Sequence, residues 1–90
     1  MAMYNINQDN GKFSHEVRDY VKRLEDSFIH DREHKVYDII IEHVERTVLE
    51  TVLERTFGNQ VKASKILGIN RNTLRTKIKK LGINIERWKL

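Results

Sequence analysis

Ninety residues with no Cys, no Pro and a formal net charge of +4 leave room for one small domain. The absent Cys excludes disulfides and thiolate metal sites, and neither an 18-residue apolar run nor a charged-then-apolar leader is visible, so a cytoplasmic location is expected. Abundant Leu, Ile, Lys, Arg and Glu predict an all-α chain, and one this short often gains stability by oligomerising.

The charge is unevenly spread. Residues 1–57 hold eight Lys/Arg against twelve Asp/Glu, a net −4, whereas residues 58–90 hold nine Lys/Arg against the single Glu86, a net +8. A basic half of this kind calls for a polyanion, and the acidic half is expected to turn away from it.

Residues 1–12 are polar and aperiodic, which predicts a flexible tail. From there Phe13, Val17, Tyr20, Val21, Leu24 and Phe28 recur at helical spacing and predict helix A over 14–29, with Ser14 as its N-cap and Glu16 in its first turn. A polar break at 30–33 follows, with Asp31 placed to cap helix B over 34–56, roughly 33 Å long. The apolar residues of helix B are too many for one neighbour: Tyr37, Ile40, Val44 and Val48 line one side, and Ile41, Leu49, Val52 and Leu53 carry the stripe around. Two surfaces need covering, so a homodimer is expected, with Val36, Ile40, Val44, Val48 and Val52 in its interface.

Gly58 is suited to a left-handed cap at the end of helix B. Asn59 then caps helix C over 60–67, which Gly68 closes, and Asn70 caps helix D over 71–81, which Gly82 closes. Two short helices joined by a tight turn make a helix-turn-helix, in which the second helix presents its N-terminal residues to base edges in the major groove. Ala63, Ser64 and Gly68 supply small residues at the crossing. Ile66, Leu67, Ile69, Leu74, Ile78 and Leu81 are the expected core, leaving Arg71, Arg75 and Lys79 as an outward row. The tail 84–90 is of uncertain structure, with Trp88 expected as an anchor packing back on the body.

Chemistry assigns roles for binding double-stranded DNA. Arg71 can pair with guanine O6 and N7, and Asn70 can reach a neighbouring base or a phosphate. Asn59, Thr73, Arg75, Lys77, Lys79 and Lys80 are the expected phosphate contacts, with Asn59 joined by the free N–H groups at the start of helix C. A membrane-surface helix or a calmodulin-type target accounts less well for the pattern, because helix D has no bulky apolar residues beyond those its own core needs. An enzyme is not expected: there is no GxxxxGK loop, no HExxH and no Cys nucleophile, and no metal or cofactor is implied. His30 and His34 have i, i+4 spacing without a third ligand, so a surface pair is expected. Glu42, Glu45, Glu50 and Glu54 read as a solvated face.

GNQ at Gly58 to Gln60 and LGINRNTLRTKIKKLG at Leu67 to Gly82 resemble the Fis (factor for inversion stimulation) family and the Fis-type C-terminal domains of NtrC-type enhancer-binding activators. The gapless resemblance runs from Tyr37 to Ile83. It implies a four-helix subunit in which helices A and B intertwine with a partner's to form a homodimer core, while helices C and D form the DNA-binding unit. It also implies two recognition helices closer together than one DNA turn, bent DNA, and DNA contacts at the eight polar positions named above. Val61, Thr76 and Thr47 depart from Fis, where Thr, Lys and a kinking Pro stand, so a straighter helix B is expected. Asn72 and Leu81 favour the activator type, and the N-terminal tail is too short for the full mobile arm of Fis.

The expected organisation is therefore a tail over 1–12, dimerisation helices over 13–57, a DNA-binding unit over 58–83 and a second tail over 84–90. The expected function is transcription regulation, in contact with a transcription complex or the rest of a parent activator. A freestanding, nucleoid-associated DNA-bending protein is the alternative, and a docking module without specific DNA binding is the rival of another class.

Overall fold

The computed structural model describes residues 9–27 and 35–90, in four α-helices and a short C-terminal 3-10 helix, with no strand among the described residues. The helices are α1 (Lys12–Ser27), α2 (Val36–Arg55), α3 (Gln60–Leu67) and α4 (Arg71–Leu81), and the 3-10 helix is Ile85–Trp88. Two compact units divide between Ile40 and Ile41. The polar break with Asp31, the expected helix-B start at His34, the His30/His34 pair and the expected end of helix A at residues 28–29 lie outside the described residues.

Helix α1 begins two residues before the expected Ser14 cap, because an earlier cap takes over. Asp9 accepts from the backbone N–H of Gly11 at 3.0 Å and of Phe13 at 2.9 Å, so its carboxylate satisfies N–H groups left free at the helix start. Asn10 and Gly11 take positive φ to make this turn. No residue of α1 is fully buried, and Phe13 is 57% exposed.

Helix α2 is unbroken for 20 residues, roughly 30 Å. At position 47, where Fis has Pro, the Thr47 hydroxyl donates back to the His43 carbonyl at 2.9 Å, and Thr51 does the same to Thr47 at 2.7 Å. Its apolar residues divide into two sets. Ile40, Leu49 and Leu53 are buried, while Tyr37, Ile41, Val44 and Val48 recur along α2 at helical spacing and stay exposed.

The left-handed cap of α2 falls on Phe57, at φ 54°, one residue before the expected Gly58. Phe57 N–H donates to Glu54 and Gly58 N–H to Leu53, the two bonds of a Schellman ending. Gly58, at φ 79°, continues the reversal where a side chain has no room. A Cβ there would lie 3.1 Å from the Ile85 carbonyl oxygen and 3.2 Å from Lys89 Cγ.

The core of the second unit joins Leu49 and Leu53 of α2, Ala63 of α3, and Leu74, Ile78 and Leu81 of α4, with Ile83 beyond. Leu53 and Leu74 are its largest fully buried side chains. Leu67, Ile69, Val52, Ile85 and Trp88 pack around it, so the C-terminal segment returns to the body with Trp88 as the expected anchor. Ile66 departs from expectation: it is 60% exposed, because α3 directs Ala63 and Ser64 inward and turns position 66 outward.

Candidate nucleic-acid interface

Both helices of the C-terminal pair have the expected caps. The Asn59 carboxamide oxygen accepts from Lys62 N–H at 3.0 Å, and the Asn70 oxygen accepts from Asn72 N–H at 2.7 Å. Gly68 at φ 72° and Gly82 at φ 65° close α3 and α4 in the left-handed region, each donating its N–H to carbonyls of the preceding turn. Ala63 and Ser64 are buried, and α3 and α4 approach closely. Ser64 satisfies its buried hydroxyl by donating to Val61 at 2.8 Å.

With Leu74, Ile78 and Leu81 buried, the rest of α4 forms one polar face. Its order differs from expectation. At 3.6 residues per turn, Arg71, Arg75 and Lys79 run along one flank of the buried stripe rather than opposite it, and Thr73 and Lys80 lie on the other flank. Asn72 and Thr76, which are not among the expected contacts, stand outermost between the two flanks, and both are exposed. The signal for them was the helical wheel centred on the three buried residues.

Hydrogen bonding leaves this face rich in donors. Asn70 gives its oxygen to the backbone, and Asn72 gives its oxygen to Arg75, whose guanidinium lies 3.0 Å away. Each carboxamide keeps its N–H2 group for a ligand. Arg71, Lys79 and Lys80 are exposed and have no ion-pair partner among the described residues. Thr73, Lys77 and Lys80 border a shallow groove of about 380 Å³ with Asn72 and Thr76. Lys77 is half-buried, and its ammonium lies 2.9 Å from the Glu45 carboxylate on α2. Asn59 is exposed at the start of α3.

Of the five expected interface residues on α2, Val44 and Val48 are exposed, at 38% and 46%. Ile40 is buried, Val36 is half-buried, and Val52 packs against the subunit's own core. Ile41, 48% exposed, joins Val44 and Val48, and an open groove of about 330 Å³ continues from these three to Leu67 and Ile69.

Residues 40–81 match the family model described as bacterial regulatory protein, Fis family. This segment is a Fis-family helix-turn-helix. It takes in nearly all of α2 with α3 and α4, so the Fis-family unit includes the core that α2 provides and leaves out the C-terminal 3-10 helix. The family identifies a DNA-binding regulatory module, and the donor-rich face of α4 is where its chemistry suits DNA. No solved structure matches the chain. No described helix is long and apolar enough to cross a membrane, and no group of three or more His, Cys, Asp or Glu that could hold a metal ion occurs among the described residues.

Proposed function

We propose that this chain is the sequence-reading, homodimeric DNA-binding module of an NtrC-type transcriptional activator. The observation that carries the reading is the capped α4, whose exposed face offers donors from Arg71, Arg75, Lys79, Lys80 and two carboxamides, within a Fis-family match. Arg71 and Asn70 read bases. Asn59, Thr73, Arg75, Lys79 and Lys80 contact phosphates, setting register and giving salt-dependent affinity.

The homodimer is supported by the exposed stripe Ile41, Val44 and Val48, an apolar surface on a unit whose own core is formed by other residues. Two-fold pairing through α2 would present two copies of α4 to successive major grooves. The activator assignment rests on Asn72 and Leu81 within NRNTLRTKIKKLG, where Fis carries Gly and Tyr.

Gel-shift titration on duplexes of about 25 base pairs tests the DNA reading, since two half-sites need at least one turn between centres. Binding that weakens steeply with salt is expected, and no binding at low salt overturns the proposal. The genomic frame upstream of Met1 tests the activator assignment: an in-frame ATPase domain is expected, and a stop codon there instead favours the freestanding form.

A further inference from the structure

Two polar links join α2 to α4. Lys77 Nζ lies 2.9 Å from Glu45 Oε2, and the Arg46 guanidinium donates to the carbonyl of Leu81, the last residue of α4. That carbonyl is one of the four at a helix C-terminus without an intrahelical partner, where a cation is also favoured by the helix dipole. Arg46 is flanked on α2 by Glu42 at 3.9 Å and Glu50 at 3.7 Å, carboxylates placed to steady its side chain.

The close helix pair of this unit is α3 with α4, while α2 meets α4 through side chains. Packing of Leu49 and Leu53 against Leu74, Ile78 and Leu81 holds α4 on α2 and already limits its slide and roll. Hydrogen bonds are directional, and two of them about a turn apart on α4 fix both. In a two-fold reader the placement of α4 on the dimer helix sets the separation of the two recognition helices.

We propose that Glu45, Lys77 and Arg46 are positioning residues, a clamp that fixes α4 on α2 and so sets the half-site spacing the dimer accepts. Lys77 then acts through Glu45 and not through a phosphate. This inference rests on the DNA-reading homodimer proposed above.

The two roles for Lys77 predict opposite effects of Glu45→Gln. A phosphate-binding Lys77 would be released by that change, and with one negative charge gone every duplex should bind more tightly. A clamp should lose discrimination while random DNA binds no worse. The 90-residue chain is used throughout, with three probes of about 25 base pairs: a duplex selected on the wild-type chain from a randomised pool, the same duplex with one central base pair inserted, and a random duplex.

Glu45→Gln is expected to lower the ratio of selected to random affinity by roughly two- to fivefold, as suits a partly exposed pair, and to shrink the penalty for the inserted base pair. Glu45→Lys combined with Lys77→Glu conserves net charge and should restore both readouts. Arg46→Met should flatten the spacing penalty, with Arg46→Lys between it and wild type. Circular dichroism and sedimentation matching wild type are expected for Glu45→Gln and for the exchange.

Tighter binding of all three probes by Glu45→Gln overturns the clamp, as does an exchange no better than Lys77→Glu alone. If Glu45→Gln loses its helices, the exchange and the Arg46 pair decide the matter by the same readouts. Wild-type chain that binds no duplex overturns the DNA reading itself and the clamp with it, whereas wild-type binding with an unmoved Glu45→Gln overturns the clamp alone.

Discussion

Val48→Asp separates dimerisation from folding. Val48 sits on the outward side of α2 at 46% exposure, one turn after Val44, while its neighbour Leu49 is buried at 3% exposure. Covering a whole valine contributes about 1.5 kcal/mol or somewhat more, so covering the exposed half by a partner contributes roughly 1 kcal/mol per subunit and about 2 kcal/mol per dimer. An aspartate there forfeits that gain and places two carboxylates in an apolar interface, at a cost of several kcal/mol each when unpaired. The dimer dissociation constant should therefore rise by at least about a thousandfold, since 1.4 kcal/mol corresponds to a factor of ten. Sedimentation equilibrium at micromolar concentration should show a monomer, and circular dichroism should retain the helices, because the substituted side chain is one the subunit's own core does not use. Val52→Asp should behave differently, lowering thermal stability first, since Val52 packs against Leu49, Leu53 and their neighbours. A Val48→Asp chain that sediments as a dimer, or a wild-type chain that sediments as a monomer, refutes the placement of the interface.

Arg71→Ala should cost roughly 1 to 3 kcal/mol on a selected duplex and flatten its sequence preference, whereas Lys80→Ala should weaken all duplexes alike and lower the salt slope by about one. Equal effects of the two on selected and random DNA would contradict the division between base and phosphate contacts. Gly58→Ala should cost about 1 kcal/mol more than Gly68→Ala in urea unfolding. Both place an alanine at positive φ, at about 1 to 2 kcal/mol, but only the Cβ at position 58 meets Ile85 and Lys89. Leu53→Ala should lose about 2 to 5 kcal/mol of stability as a cavity at full burial, and a loss under 1 kcal/mol would contradict its central place in the core.

Much of the C-terminal unit was legible in the sequence because its boundaries are set by local chemistry. Asn59, Gly68, Asn70 and Gly82 each act within their own turn, and all four lie where capping rules put them. Ala63, Ser64, Leu74, Ile78 and Leu81 were legible for a related reason, since a short helix pair offers few ways to bury its apolar face. Besides the outward turn of Ile66 and the order of residues around α4, three features escaped. The start of α1 depends on Asp9 reaching across a turn with positive φ at Asn10, which no helical period announces. The cap at Phe57 runs against residue preference: the Leu53 and Glu54 carbonyls are satisfied there although a phenylalanine must take φ 54°. The partners of Lys77 and Arg46 are 32 and 35 residues away, so nothing in helix D marks Lys77 as different from Lys79 or Lys80.

The helix caps also limit what α4 can read. A carboxamide that recognises adenine must offer its oxygen and its nitrogen to the same base edge, accepting from N6 and donating to N7. Asn70 has turned its oxygen to the Asn72 backbone, and Asn72 has turned its own to Arg75, so each oxygen has only its second lone pair to offer, aimed by a bond the fold uses. Giving up the cap at Asn70 would cost about 1 kcal/mol of helix stability, comparable to the lower end of what a good base pairing returns. What remains on the surface mostly donates: two guanidinium groups, two ammonium groups and two amide N–H2 groups, beside the Thr73 and Thr76 hydroxyls, which can also accept. Such a face matches acceptors, which are guanine O6 and N7, adenine N7, thymine O4 and the phosphate oxygens, and it offers the N4 amino group of cytosine only the threonine hydroxyls. Guanine is therefore the expected partner of Arg71, with Asn70 donating to the adjacent acceptor or phosphate. The bond that starts the recognition helix thus also narrows the bases it can read.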